Sequence, residues 1–185
     1  SAYQSKRLKI VRNGGHEEGF FHRLRKKEKC SMKKCWCEKH HKDPQDICCP
    51  DSFAQYGTVG RVPSGSYLSF YEVFREGTDI SLEEEQTIIL QPGFLYLIDY
   101  IFLATIGPGN RFQVIPYINQ QPGLLYSVFS ISGNEDTATG AGSFTTNAAW
   151  DDAAELRFRV TAGSDAGTVD AGVQGAVSIT PLIRR

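Results

Sequence analysis

The pattern of apolar and polar positions changes near Pro50. Beyond it, segments rich in Val, Ile, Phe, Tyr and Thr alternate with clusters of Gly, Pro, Asn and Asp, which is typical of short strands separated by turns. No remaining segment there is long enough to predict a helix of the domain. We predict strands near residues 56–62, 66–74, 86–91, 94–105, 111–119, 123–132, 140–147, 154–161 and 174–183. Strands at this spacing predict an all-β sandwich or barrel.

One of these strands is apolar on both faces. In residues 94–103, FLYLIDYIFL, almost every position is apolar, whereas a strand of an isolated two-sheet sandwich should have one polar face. Residues 124–131 are similar. Burial on both sides predicts self-association; the alternative is a central strand covered by loops of the same chain. The predicted interface residues are Tyr96, Tyr100, Phe102, Tyr126 and Phe129.

Charge separates the chain into the same two parts. Residues 1–50 hold 13 Lys/Arg and 6 Asp/Glu, a net charge of +7, and residues 51–185 hold 7 and 15, a net charge of −8. The first part has too few apolar residues to build a core, so we expect this arm to be ordered by docking on another copy. Binding to nucleic acid and plain solvation are the alternatives. The predicted docking residues are Phe20, Phe21, Arg23, Arg25, Lys26 and Lys27.

All the cysteines lie inside the arm, in the twenty residues from Cys30 to Cys49. A structural zinc site needs four thiolate or imidazole ligands, and Cys35, Cys37, His40 and His41 could supply them, although the spacing differs from common zinc fingers. Adjacent cysteines bridge each other poorly, and an odd number leaves one thiol over unless chains pair. Disulfides between subunits are therefore the main prediction, and free thiols are a third alternative. The candidates are Cys30, Cys35, Cys37, Cys48 and Cys49.

Catalysis is not predicted. Residues 51–185 contain no His, Cys or Lys, which removes the usual general base, thiol nucleophile and Schiff-base amine. We expect no catalytic residue and no cofactor. The chain also has no apolar run of about 18 residues, so no membrane span is predicted, and no standard secretory signal is visible.

Three segments of the domain resemble a known family. LQPGFLYLIDYIFLAT resembles the strand after a Pro-Gly turn in tumour-necrosis-factor-like and complement-type heads, above all BclA-like C-terminal domains of collagen-like spore-surface proteins. RFQVIPYINQQPG resembles one of their later strands, and GAVSITPLI resembles their final strand, at the trimer centre. The resemblance spans residues 60–183 and implies a jelly roll of about 8–10 antiparallel strands, a tight trimer and a structural role on a spore surface.

The arm departs from that family. No collagen-like stalk is present, and a cysteine-rich arm takes its place. Such arms resemble the connectors of bacterial endospore appendage fibres. The sequence therefore predicts an exosporium or appendage fibre subunit. Its arm spans residues 1–50 and its jelly roll residues 51–185. The predicted partners of this subunit are its own copies and an anchor or tip protein of the spore surface. A trimeric head that binds carbohydrate or a surface receptor, and a zinc-binding arm, are the alternative functions.

Overall fold

Two packed antiparallel β-sheets make up the part of the chain that the computed structural model describes, residues 52–184. The strands are β1 (Phe53–Val62), β2 (Tyr71–Glu76), β3 (Ile80–Glu83), β4 (Thr87–Leu90), β5 (Phe94–Thr105), β6 (Arg111–Ile118), β7 (Gln121–Pro122), β8 (Val128–Ile131), β9 (Thr137–Thr146), β10 (Ala154–Ser164), β11 (Gly167–Thr168) and β12 (Ala171–Arg184). One turn of 3-10 helix, η1 (Leu124–Tyr126), precedes β8. Over these residues there is no helix long and apolar enough to cross a membrane.

The first sheet has the strand order β2-β1-β12-β5-β9. Its central strand, β12, pairs with β1 on one side and with β5 on the other, so that Val177 lies between Tyr56 and Tyr100. Successive side chains of a strand point to opposite faces. In β12 the larger residues Val173, Val177 and Ile179 therefore point into the sandwich.

The second sheet has the order β3-β4-β10-β6-β7, with β8 paired to β6 and β11 paired to β10. Strand β10 carries Leu156, Phe158 and Val160 at alternate positions, and all three are buried. The positions between them, Arg157 and Arg159, lie on the outer side. This alternation gives β10 an apolar inner side and a polar outer side.

Aromatic rings from both sheets meet at the centre of the core. The Phe158 ring lies 5.2 Å from Tyr100, 5.7 Å from Phe102 and 5.9 Å from Phe70, measured between ring centroids. Each of these three pairs joins Phe158 to a ring that is distant in sequence. Such aromatic pairs each contribute about 0.5–1.5 kcal/mol beyond the burial of their surface, so this cluster fixes how the sheets sit on each other.

The strand predictions were confirmed in the long, regular elements and wrong in the short ones. The predicted strand 94–105 is β5. The predicted strand 123–132 is wrong in its first half, because the Tyr126 N–H donates to the Gly123 carbonyl and closes η1. The predicted strand 66–74 contains only the start of β2. Strand β3 was missed because its alternating pattern is only four residues long.

Candidate functional site

An apolar row crosses the outer side of the first sheet. The register places Gly57 beside Ala176, Ala176 beside Ile101, and Ile101 beside Ala141. The neighbours of Ile101 are therefore small, and its side chain stands above them, 56% exposed. An isoleucine in that position has no partner among the residues 52–184 that would shield it from water.

Gly57 allows an aromatic ring to extend this row. A Cβ atom at Gly57 would lie 2.6 Å from the Tyr71 Cζ atom, closer than two non-bonded carbon atoms can approach. The missing side chain lets the end of the Tyr71 ring lie beside Gly57 of β1. Tyr71 itself is 54% exposed.

A second row runs parallel to the first. Val59 lies beside Gln174, Gln174 beside Leu103, and Leu103 beside Thr139. Together the two rows define a surface that we call the Ile101 face: Val59, Tyr71, Ile101, Leu103, Ala141 and Ala176.

The Ile101 face is shallowly concave on both sides of Ile101. One depression, of about 520 Å³, is lined by Val59, Tyr71 and Leu103, and the other, also about 520 Å³, is lined by Asp99, Ala141 and Ala176. Asp99 is the charged residue in the lining of the second depression. Apolar surface with little charge is typical of the centre of a protein interface, so this face is suited to burial against another protein surface.

A second apolar surface lies at η1. Leu124 and Leu125 project from this turn, and Leu125 is 93% exposed. The turn is held firmly, because the Tyr100 hydroxyl donates to the Tyr126 carbonyl at 2.5 Å and the Tyr126 ring stacks on Phe144 with 4.4 Å between centroids. Two exposed leucines on an anchored turn form a rigid apolar contact point.

Three of the predicted interface residues are core residues, which corrects the prediction. Tyr96, Tyr100 and Phe102 point inward from β5 and are buried within one chain. Burial raises the pKa of Tyr100 to about 12 and raises the pKa of Tyr96 further. The Tyr96 hydroxyl donates to the Gln91 and Asp79 carbonyls at 2.9 and 3.1 Å. The outward positions of the same strand, Ile101 and Leu103, were missed, although a strict period of two would have separated the two sets.

The other two predicted interface residues are not buried in the core. Tyr126 is partly buried where it stacks on Phe144. Phe129 is 58% exposed and lies beside Gln113 on the outer side of the second sheet. The Ile101 face and Phe129 therefore lie on opposite sides of the sandwich.

The predictions made for the arm lie outside the described residues. This applies to the disulfide candidates, to the zinc alternative and to the docking residues, and also to the domain boundary near residue 50. From Ser52 to Arg184, no group of three His, Cys, Asp or Glu side chains is placed to hold a metal ion.

Comparison with known proteins identifies the fold. No protein-family model and no curated protein matches the chain. Among solved structures, murine APRIL at pH 5.0 is similar with a TM-score of 0.50 and 12% identity, covering 71% of this chain and 98% of that chain. The domain therefore has a jelly-roll fold. The PRD1 vertex protein P5 is also similar, with a TM-score of 0.49 and 13% identity over 71% of this chain and 97% of that chain.

This jelly roll confirms the predicted fold class. At 12% identity a structural likeness carries the fold alone. The BclA-like assignment and the appendage-type connector stay predictions.

Proposed function

We propose that this protein is a structural, non-enzymatic subunit of a spore-surface fibre. In this proposal the jelly roll forms a homotrimer, and residues 1–50 link successive trimers by docking and by disulfides between subunits. The observation that carries the proposal is the Ile101 face, an apolar surface built on the central strands of the first sheet. Burial of such a surface is the main driving force of association.

The presence of two different apolar surfaces supports a ring over a twofold dimer. A twofold interface uses the same patch on both partners, whereas contact between two different patches closes into a ring or grows into a filament. The Ile101 face is wide and shallow, and the Leu124–Leu125 turn is narrow and protruding. We propose that the turn of one copy packs on the Ile101 face of the next, and that three copies close the ring.

The arm supports the fibre part of the proposal. Its net charge of +7 opposes the −8 of residues 51–185, so an arm and a neighbouring jelly roll attract each other. Exposed ion pairs each contribute only about 0–1 kcal/mol, and this attraction guides assembly more than it stabilises it. Cys30, Cys35, Cys37, Cys48 and Cys49 would then lock the contact covalently.

A non-enzymatic role agrees with the chemistry of the domain. Its ionisable side chains are Arg, Asp, Glu and Tyr alone, and burial raises the pKa values of Tyr56 and Tyr100 to about 12. These hydroxyls stay protonated at neutral pH. Both rings pack in the core, and the Tyr100 hydroxyl also donates to the Tyr126 carbonyl.

The decisive test measures the mass of the full chain in reducing buffer by sedimentation equilibrium. It compares the unmodified protein with the Ile101→Asp variant. We expect a trimer for the former and a monomer for the latter, because an uncompensated buried carboxylate costs about 3 kcal/mol or more, over a hundredfold in association. The matched control is Ile131→Asp, since Ile131 is 57% exposed on the second sheet, and it should remain trimeric. A trimer that persists in Ile101→Asp would refute the interface.

The fibre link needs a separate test. Negative-stain images distinguish filaments from single trimers, and gel electrophoresis without reductant shows covalent ladders. A boiled, non-reduced sample that runs wholly as monomer would exclude disulfides between subunits, and discrete trimers at every concentration would exclude the fibre.

A further inference from the structure

A polar depression on the outer side of the second sheet is unlike the Ile101 face. Its volume is about 510 Å³, and strands β6 and β10 form its floor. The side chains that matter for its chemistry are Ser64, Arg111, Gln113, Phe129, Arg159 and Thr161. We call it the Arg159 depression.

Arg159 is held in place by its neighbours. Its Nε atom donates to the Gly65 carbonyl at 2.7 Å, and its Nη1 atom donates to the Tyr117 hydroxyl at 3.3 Å. The Tyr67 backbone forms a bridge to the Arg159 backbone from the side opposite β6. The guanidinium is therefore oriented before any ligand arrives, which reduces the entropy lost on binding.

The charge of Arg159 is not balanced locally. Among residues 52–184 no carboxylate forms an ion pair with it. Gly65 has a φ angle of +90° and no side chain. A Cβ atom there would lie 3.3 Å from the Arg159 Nη2 atom, so the missing side chain keeps the Nη2 atom of Arg159 accessible. A fixed, unpaired guanidinium is a binding point for an anion, and for a carboxylate or phosphate in particular.

A second arginine lies at the other end of the depression. Arg111 pairs with Asp165 at 2.8 Å, and Asp165 is 88% exposed. Exposed pairs of this kind are weak, so a ligand carboxylate can compete with Asp165 for Arg111. The domain as a whole is strongly acidic, and anions are repelled from most of its surface.

The rest of the lining narrows the class of ligand. The Thr161 hydroxyl donates to the Gln113 amide oxygen at 3.5 Å, which leaves the Gln113 amide N–H groups as donors. The Ser64 hydroxyl oxygen accepts from the Ala162 N–H at 2.9 Å, which leaves its own proton to donate. These groups suit a ligand rich in hydroxyls, and the exposed Phe129 ring offers a flat apolar surface beside them.

We infer that the Arg159 depression binds an acidic saccharide, with a sugar ring against Phe129 and its carboxylate on the guanidinium of Arg159. Arg111 then receives a second carboxylate of the same oligosaccharide or remains with Asp165. The site lies on the sheet opposite the Ile101 face and does not depend on the trimer.

Isothermal titration calorimetry of the full chain with trigalacturonate tests this inference. We expect saturable binding to the unmodified protein, weakened about tenfold or more in Arg159→Met, because hydrogen bonds to charged groups contribute about 1.5–3 kcal/mol. The matched control is Arg61→Met, whose side chain is exposed at the end of β1 and which should bind as the unmodified protein does. The neutral methyl ester of trigalacturonate should bind far more weakly.

A second variant keeps the test valid if Arg159→Met is poorly folded. Phe129→Ser changes an exposed side chain, and we expect it to weaken trigalacturonate binding several-fold with the far-ultraviolet circular dichroism unchanged. The inference is overturned by no binding of trigalacturonate, by equal binding of Arg159→Met, or by a hexaglutamate peptide that binds as tightly as trigalacturonate with the same dependence on Phe129.

Discussion

At the scale of single residues, glycine decides how closely the central strands approach. A Cβ atom at Gly175 would lie 2.1 Å from the Ile101 carbonyl oxygen and 2.7 Å from the Phe102 Cδ1 atom. Gly172, in the same strand, is different, because its nearest neighbour would be the Thr105 Cβ atom at 3.6 Å. The same chemical change therefore has two different consequences within β12.

We expect Gly175→Ala to lower the free energy of unfolding by about 2 kcal/mol, since overpacking of this kind costs about 1–3 kcal/mol. Urea denaturation followed by circular dichroism measures it. Gly172→Ala is the control and should change the free energy by less than about 0.5 kcal/mol. Equal effects of the two variants would contradict the close approach at Gly175.

Buried tyrosines give the fold a dependence on alkaline pH. Burial raises the pKa of Tyr100 from 10.0 to about 12, so the folded state retains this proton better than the unfolded state does. The resulting stability is complete below pH 10 and is lost as the pH rises from about 10 to 12. Each unit of difference between the folded-state and unfolded-state pKa values corresponds to about 1.4 kcal/mol.

We expect the free energy of unfolding to fall between pH 10 and 12, and to fall less steeply in Tyr100→Phe. Urea titrations at several pH values in this range measure both slopes. Tyr100→Phe also loses its hydrogen bond to the Tyr126 carbonyl, and at neutral pH should be about 1 kcal/mol less stable. Identical slopes in the two proteins would show that Tyr100 does not carry the effect.

At the scale of elements, periodicity predicted strands better than it predicted faces. The bounds of β5 follow from its long apolar run. Both alternating sets in that run are apolar, so the pattern alone does not say which set faces the core. The bulkier set, with Tyr96, Tyr100 and Phe102, fills the space between the sheets, and Ile101 and Leu103 remain outside.

The Arg159 depression was beyond prediction from spacing. Ser64, Gln113, Phe129 and Arg159 are far apart in the chain and meet only through the pairing of β6 with β8 and β10. Gln113, Phe129 and Arg159 are ordinary outward residues of their strands, and Ser64 lies in the turn after β1. No local motif marks them, and the register of the sheet creates the site.

The η1 turn gives a prediction at the element scale. We expect Leu125→Ser to raise the dissociation constant of the trimer about tenfold or more, because a large aliphatic side chain loses about 1.5–3 kcal/mol of burial. Sedimentation equilibrium over a range of concentrations measures it. Val73→Ser is the control, since Val73 is an exposed residue of β2 outside both surfaces, and an equal effect there would refute the role of η1.

At the scale of the whole molecule, two parts of opposite charge differ in composition, and we propose that they have separate tasks. The jelly roll carries the apolar surfaces, and the arm carries the thiols and most of the cations. The sequence predicted this division from composition alone, because Lys, His and Cys are confined to the first fifty residues. Pairing of the cysteines depends on contacts between copies, which composition does not specify.

Removal of residues 1–50 should separate the two tasks. We expect the shortened chain to remain a trimer in reducing and oxidising buffer, and the full chain to form larger species in oxidising buffer. Light scattering after size exclusion measures both. Cys48→Ser/Cys49→Ser in the full chain is the control for covalent linkage alone, and full-length and shortened chains that are equally monomeric would contradict the proposed division.

The central place of β12 also bears on biosynthesis. This strand is paired on both sides, with β1 and with β5, although it follows them by about 110 and 70 residues in the chain. Contacts so distant in sequence slow folding. A ribosome must therefore translate the chain through Arg184 before the first sheet can close, and until then the inward aromatic residues of β5 are open to chaperones and to aggregation with other nascent chains.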